Sequence, residues 1–204
     1  MEDDKQQPEQ LTRPYRMEAR ARSAAITGER ILDAAVEIFY EQPVANLSLE
    51  EVARRSAVSV QTVIRRFGGK EGLFAAASER ESRRIASHRD QAAVGDVAGA
   101  LHILLDHYEE VGDGVLRMLA EEHWMPALRE IIDGGRGYHR QWCERVFAPA
   151  LTEREGTERE RRLAQLVTVT DIYTWKLLRR DYGLSRDQTE LALGELLHPL
   201  TGGN

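Results

Sequence analysis

Four side chains that can form hydrogen bonds with nucleobases or phosphates lie within one short segment: Gln61, Thr62, Arg65 and Arg66. On a helix with about 100° between residues, all four fall on one side, opposite an apolar stripe of Val60, Val63, Ile64 and Phe67. Arginine forks onto guanine O6 and N7, glutamine pairs similarly with adenine, and both also bind phosphate. The pattern therefore indicates a helix that buries one face and offers the other to DNA. The alternative is a solvated polar face without a ligand.

The residues around this helix predict a second helix and a tight connection. Residues 47–74 read LSLEEVARRSAVSVQTVIRRFGGKEGLF. Ser48 with Glu51 three positions later forms a capping-box pattern at the start of one helix, and Ser59 is a cap for the next. Two capped helices joined in this way form a helix-turn-helix, which places its second helix in a major groove.

The remaining pattern is helical throughout. A first helix is expected from Thr27, which can cap it, to Pro43, with Ile31, Leu32, Ala35, Ile38 and Phe39 on one face. Helices are expected after the motif at about 70–88, 94–111, 115–123, 126–151, 157–182 and 186–198, with a joint at Gly112-Asp113-Gly114. Alternating apolar patterns are almost absent. The sequence therefore predicts an all-α fold of about nine helices.

Several spaced elements of this chain resemble the tetracycline-repressor (TetR) family of bacterial transcriptional regulators. The resemblance covers about residues 27–74. It consists of a helix like TGERILDAA continuing to Phe39, a capped helix like Ser48 to Ala53, a turn and helix like Ala57 to Phe67, and Lys70-Glu71 followed by Leu73. Three positions depart from the family pattern. Ile64 stands where Tyr is usual, and Ala57 and Pro43 stand where Gly is usual.

The resemblance implies a homodimer with two parts in each chain. The expected division is a flexible, partly basic arm at 1–26, a three-helix DNA-binding domain at 27–74, and an effector-binding and dimerisation domain at 75–204. The last two long helices would pair with their copies in the partner. A small-molecule effector, whose identity the sequence does not give, would shift the fourth helix and release a palindromic operator, so the expected activity is repression.

The resemblance also assigns DNA contacts by position. Gln61, Thr62 and Arg65 match sites that face bases. Ser48, Ser59, Arg66 and Lys70 match sites that face phosphates.

Charge is distributed unevenly along the chain. The formal net charge is -6, and residues 86–204 carry fourteen basic and twenty acidic side chains, which accounts for all of it. Residues 11–26 carry four arginines against Glu18, so this segment is expected either to extend the first helix or to form a basic arm, and Pro14 argues against one continuous helix from the start. The single Cys143 excludes an internal disulfide, and no apolar run approaches the length of a membrane helix. We expect a cytoplasmic protein without a membrane partner.

The C-terminal half contains a group of aromatic residues that suits a cavity for a flat or apolar effector. The candidates are Tyr108, Trp124, Tyr138, Trp142, Tyr173 and Trp175. Ordinary core packing is the alternative for each of them. Two apolar stripes near the C-terminus have two interpretations, a dimer interface or the core of one chain. They are Leu163, Leu166, Val167, Thr170, Thr174 and Leu177, and Leu191, Leu193, Leu196 and Leu197.

Two other functions are compatible with parts of the sequence. His102 with Asp106, or His139 with Cys143, has the i, i+4 spacing of a base and its partner or of two metal ligands, which would suit an enzyme on a helical bundle. The second alternative is a helical scaffold for protein partners that does not bind DNA. No nucleophile elbow, phosphate loop or metal cluster accompanies these pairs, so we expect no enzymatic activity, no cofactor and no metal.

Overall fold

The chain folds as a bundle of α-helices. The computed structural model describes residues 13–123 and 125–202, and no strand occurs within these ranges. The helices are α1 (Arg13–Glu41), α2 (Leu49–Arg55), α3 (Val60–Phe67), α4 (Lys70–Arg89), α5 (Val97–Glu121), α6 (Pro126–Val146), α7 (Ala148–Leu151), α8 (Gly156–Val169), α9 (Ile172–Lys176) and α10 (Arg186–Thr201). A 3-10 turn covers Val44–Asn46 and a π-helical turn covers Leu177–Asp181. The predicted all-α class is confirmed.

Helices α1 to α4 enclose the first hydrophobic core, which we call the head. Its fully or almost fully buried members include Ile31, Ile38, Val52, Val63 and Leu73. The i, i+3, i+4 spacing of apolar residues in α1 places them on one face, which packs on α2 and α4. The predicted domain boundary at 74/75 falls inside α4.

Helix α1 begins earlier than Thr27. It starts at Arg13, so the basic segment from residue 13 extends the first helix. Pro14 lies in the first turn, where a missing N–H costs nothing. The Thr27 hydroxyl does not cap a helix start but donates to the Ser23 carbonyl (2.8 Å) inside the helix. The predicted start at Thr27 was therefore wrong, whereas the alternative in which the basic segment extends the first helix holds from residue 13, because proline is compatible with the first turn of a helix.

The connection between α2 and α3 is held by capping bonds. Ser48 Oγ accepts the Glu51 N–H (3.1 Å) and Ser59 Oγ accepts the Thr62 N–H (3.2 Å), as predicted for both caps. The reciprocal half of the capping box is replaced, because the Glu51 carboxylate accepts from Arg54 and Arg55 instead.

Ala57 ends α2 in a left-handed conformation, with φ +51°. Its N–H donates to the Arg54 carbonyl (3.3 Å), and the Val58 N–H donates to the Ala53 carbonyl (3.0 Å). This bond pattern is a Schellman motif, in which glycine is the usual residue. An alanine there carries a steric cost of about 1 kcal/mol.

Helix α5 runs unbroken through Gly112-Asp113-Gly114, so the predicted joint there was wrong. A Cβ on Gly112 would lie 2.6 Å from the Trp175 ring, and one on Gly114 would overlap Tyr40. The glycines therefore allow close approach of two aromatic side chains to the α5 backbone. They do not interrupt the helix.

The C-terminal segment is more broken than predicted. The expected helix at 157–182 divides at Thr170-Asp171, where the Asp171 carboxylate accepts the Tyr173 N–H (2.9 Å) and starts α9. The expected helix at 126–151 divides at Phe147, ahead of the short α7. Helices α5 to α10 surround a second core, which we call the body, with Trp142, Phe147 and Trp175 among its most buried side chains.

Head and body meet around the end of α1. Val44 packs with Leu128 and Ile132 of α6 in a third apolar cluster. The Val44 N–H donates to the Glu121 carboxylate (3.1 Å), and Arg117 donates to the Tyr40 carbonyl. No helix within the described ranges is both long enough and apolar enough to cross a bilayer.

Candidate nucleic-acid interface and ligand cavity

Helix α3 presents its polar face to solvent. Gln61, Arg65 and Arg66 are exposed, and Val63 on the opposite side is fully buried. Ile64 was predicted in the buried stripe but is 39% exposed, so that prediction was wrong. Because the helix is short and packs through Val63, Ile64 falls at the edge of the contact rather than inside it.

Arg65 carries a charge that no carboxylate of the described residues neutralises. Within the described ranges, neither Arg65 nor Arg66 lies within ion-pair distance of a carboxylate. Two other arginines of the head are paired with carboxylates. Arg55 bonds Glu41 (2.6 Å) and Glu51, and Arg80 bonds Asp33 (2.7 Å) and Glu29. Arg65 and Arg66 therefore add accessible positive charge on α3 to that of Arg20 and Arg22 on α1.

The four residues predicted to face phosphates lie at helix ends around α3. Ser48 and Ser59 cap α2 and α3, and each hydroxyl keeps further hydrogen-bonding capacity. Lys70 is the first residue of α4, and its Nζ donates to the Ala45 carbonyl (3.2 Å). The Arg66 guanidinium lies over the backbone of Gly28 in α1, and a Cβ at Gly28 would overlap it.

The Thr62 side chain is less accessible to a ligand than the sequence pattern indicated. It is half-buried, and its hydroxyl lies 2.9 Å from the Ser59 hydroxyl. The methyl group and the remaining oxygen lone pair are the parts available to a base.

Residues 17, 18 and 20–26 of α1 are exposed. Arg20, Arg22 and Ile26 are all accessible, and burial begins at Thr27 and Gly28. The part of the predicted arm at 1–12 lies outside the described residues.

A cavity of about 250 Å³ lies between the head and the body. Its wall includes Phe39 and Tyr40 from α1, Phe74 from α4, His107 from α5 and Ile132 from α6. The end of α8 and the start of α9 close the far side with Val167, Asp171 and Ile172. A ligand in this space would contact both parts of the chain.

The six aromatic candidates divide. Tyr108, Tyr138 and Tyr173 line the cavity. Trp142 and Trp175 do not line it but pack in the body core. Trp124 lies outside the described residues. The alternative of core packing applies to the two tryptophans because their large rings fill space between helices, Trp175 against Gly112 and Trp142 beside Phe147.

Polar groups in the cavity wall were missed from the sequence. Arg89, the last residue of α4, is buried there, and its Nη2 lies 2.7 Å from His139 Nδ1. Burial, and then the charge of Arg89, lower the pKa of His107 and of His139 to about 3. Burial raises the pKa of Tyr138 to about 12. The two histidines are therefore neutral at physiological pH. The spacing of apolar residues in the sequence does not distinguish Arg89 from any other arginine near the end of a helix.

The residue pairs that suggested an enzyme lie in different surroundings. His102 and Asp106 belong to an exposed ion-pair network with Arg186 and Glu190. Cys143 is buried beside Thr170 and His139, and burial raises the pKa of its thiol to about 11, which disfavours the thiolate nucleophile. Within the described ranges no three metal-ligating side chains come together.

The two predicted C-terminal stripes also divide. Leu163, Leu166, Thr170, Leu193 and Leu197 are buried in the body of the single chain, so the alternative of core packing applies to these five. Exposed apolar residues remain beside them: Leu177, Leu191 and Leu196.

Comparison with known proteins finds a family match within the head. Residues 31–77 match the model of the family described as "Bacterial regulatory proteins, tetR family". Over 65 residues the chain is 35% identical to uncharacterized HTH-type transcriptional regulators from two Mycobacterium tuberculosis strains, CDC 1551 / Oshkosh and ATCC 25618 / H37Rv. The match covers 32% of this chain and only 32% of each relative's length.

Solved structures resemble the whole fold. A transcriptional regulator from Rhodococcus sp. Rha1 is 22% identical with a TM-score of 0.65, over 85% of this chain and 95% of that one. A TetR transcription regulator from Haloarcula marismortui ATCC 43049 is 18% identical with a TM-score of 0.65, over 84% and 96%. These likenesses show the fold alone. Residues 31–77, within the head, therefore match the tetR family of bacterial regulatory proteins, and the whole chain has the fold of the solved regulators that it resembles.

Proposed function

We propose that the protein is a ligand-responsive transcriptional repressor that binds a palindromic operator as a homodimer and leaves it when a small molecule occupies the cavity. The observation that carries DNA binding is the exposed, unpaired Arg65 beside exposed Gln61 on α3. These are the side chains that read guanine and adenine in a major groove. Ser48, Ser59, Thr62, Arg66 and Lys70 surround them as further contacts to bases or backbone.

A single head offers few contacts, which supports a dimer. Two heads related by a twofold axis read half-sites about 34–36 Å apart on one face of the duplex. Exposed Leu191 and Leu196 on α10 are apolar surface that an isologous contact with a second copy would cover. The dimer surface is assigned to the exposed sides of α8 and α10.

The position of the cavity supports ligand response. Its wall takes Phe39 and Tyr40 from the head and Tyr138 and Asp171 from the body. Tyr40 also donates to Glu81 (3.0 Å) on α4 and accepts from Arg117 on α5 through its carbonyl. A ligand that moves these groups changes how the head sits on the body, and it shifts binding only by its difference in affinity for the two arrangements.

Selection from random duplex DNA with the purified full chain tests DNA reading. A repressor is expected to enrich a palindrome, and its affinity should fall steeply as salt is raised because phosphate contacts release counterions. Recovery of unenriched sequences contradicts the proposal.

Light scattering or sedimentation tests the assembly. We expect twice the chain mass at micromolar concentration. An observed monomer contradicts the dimer, and Leu191→Lys with Leu196→Lys should convert a dimer to a monomer if α10 forms the contact.

A further inference from the structure

Arg89 is a buried cation for which the described part of the chain supplies no counter-charge. Its residue is 4% exposed and it lines the cavity. Its Nε has no hydrogen-bond partner, and among residues 13–123 and 125–202 no carboxylate oxygen lies within 4.0 Å of its guanidinium. One hydrogen bond joins its Nη2 to His139 Nδ1 (2.7 Å).

Neighbouring groups compensate this charge only in part. The guanidinium carbon lies 4.4 Å from the Trp142 ring centre and 5.3 Å from that of Tyr138, so both rings attract it. The neutral His139 accepts one hydrogen bond and supplies no negative charge. A buried charge normally requires both a partner of opposite sign and hydrogen bonds to all its donors.

The other charged groups of the cavity wall are already engaged. Glu81 accepts from Arg84 (2.7 Å) and from the Tyr40 hydroxyl (3.0 Å). Arg136 is paired with Glu122 (2.8 Å). Asp171 caps the first turn of α9 through the Tyr173 N–H (2.9 Å). Among the lining charges that the structure describes, Arg89 alone has neither a partner of opposite full charge nor a capping bond, and the C-terminal end of α4 offsets only part of its charge.

The remaining wall is mainly apolar and the space is small. Phe39, Phe74, Val115, Met118 and Ile132 surround it. A volume of about 250 Å³ corresponds to roughly eight water-sized units. It therefore suits a molecule with on the order of ten non-hydrogen atoms and a single polar end.

We propose that the cavity binds a monocarboxylate with an apolar aliphatic or aromatic tail, and that Arg89 is its counter-ion. This inference rests on the proposed function for its biological meaning. Arginine forms short, charge-assisted hydrogen bonds with carboxylates, and the unpartnered Nε–H is a donor ready for one. One unpaired cation matches one negative charge. A dianion would leave a second charge facing Glu81 and Asp171.

Binding of matched acids and alcohols to the purified full chain, without DNA, tests the proposal. The probes are octanoate against octan-1-ol and 3-phenylpropanoate against 3-phenylpropan-1-ol, measured by calorimetry and by thermal shift, with octylamine as the cationic probe. We expect at least one acid to bind about tenfold or more tightly than its alcohol, because the alcohol lacks the charge-assisted bond.

Substitution of Arg89 assigns that preference to its guanidinium. Arg89→Met should make acid and alcohol bind equally, and Arg89→Lys should leave a reduced preference because a point charge replaces the fork. Arg83→Met is the matched control on the same helix, since Arg83 is exposed and outside the cavity wall. It should keep the wild-type preference.

Four results overturn the proposal: equal affinity of acids and alcohols, tighter binding of octylamine, no binding of either acid at millimolar concentration, or a wild-type preference retained by a folded Arg89→Met. The wild-type comparison decides the matter even if a variant fails to fold. If an acid binds through Arg89 but leaves affinity for the selected duplex unchanged, the ligand response fails and the carboxylate site stands. If an uncharged molecule releases the duplex while acids do not bind, the carboxylate site fails and the ligand response stands.

Discussion

The outer face of α3 and the cavity beside α4 both carry an arginine that has no carboxylate partner among the described residues, and their different surroundings give the two charges different roles. Arg65 is exposed, so water solvates it at no cost and its charge remains available to a polyanion. Arg89 is buried with an unbonded Nε, and no carboxylate of the described residues pairs with it. An exposed cation can bind an anion but is stable without one, whereas a buried cation is stabilised when an anion binds.

The two sites also differ in how the fold brings their residues together. The α3 face comes from eight consecutive residues with caps at both ends. The cavity wall comes from five or more helices that are distant in sequence. Loss of one residue should therefore act locally on α3 but should change charge balance and packing together in the cavity.

The largest expected effect is a loss of stability in mild acid, which tests whether the cavity wall is dry. His107 and His139 have pKa values lowered to about 3, first by burial and then by Arg89. Below pH 6.5 the unfolded chain takes up protons that the folded chain does not, so the free energy of unfolding falls. The fall from pH 7.5 to 5 should be about 2 kcal/mol for each histidine and about 4 kcal/mol for both.

Urea unfolding at a series of pH values measures this loss. His107→Gln should remove about half of the dependence. If the free energy of unfolding of the wild type does not change between pH 7.5 and 5, water reaches these rings. The cavity wall would then be hydrated like the outer face of α3, and the contrast between the two sites would not hold.

A smaller effect is expected on the outer face. Arg65→Ala should weaken binding to the selected duplex by about 1–3 kcal/mol and relax specificity at one base pair, because a bidentate contact to guanine is lost. Unfolding stability should change little, since the side chain is exposed and unpaired.

Gel-shift titration of the variant against single-base operator variants checks both parts of that expectation. Arg140→Ala, which removes an exposed arginine from α6, is the matched control and should bind as the wild type does. A uniform loss across all sequences would reassign Arg65 from base reading to phosphate contact.

The smallest effect concerns the turn that orients α3. Ala57→Gly should raise the free energy of unfolding by up to about 1 kcal/mol, because glycine adopts φ +51° without a steric cost. Ala75→Gly, at an exposed position within α4, should lower it by a similar amount. Denaturant unfolding of the two variants checks the opposite signs, and equal destabilisation by both would show that Ala57 is not strained.

Local patterns were sufficient to predict the head. Ser48, Ser59 and the apolar spacing of α1 act within a few residues, so the sequence specifies them without knowledge of the rest of the fold. Ile64 was misplaced because its exposure depends on how far α2 covers α3, which is a tertiary property.

The cavity could not be predicted in the same way. Gly112 and Gly114 carry a break signal, yet they serve close packing of Trp175 and Tyr40, which are far away in sequence. Arg89 becomes unusual only because α5 and α6 bury it. The sequence analysis identified the cavity by its aromatic residues, whereas in the structure its most unusual group is the buried charge of Arg89.

Helix α4 has a consequence for communication between the two sites. It runs without a break from Lys70, beside the proposed DNA surface, to Arg89 at the cavity. Twenty residues at 1.5 Å per residue make a rod about 30 Å long. A tilt of this rod of only a few degrees, started by a molecule that pulls on one end, would move the opposite end by an ångström or more, which is comparable to the tolerance of a hydrogen bond.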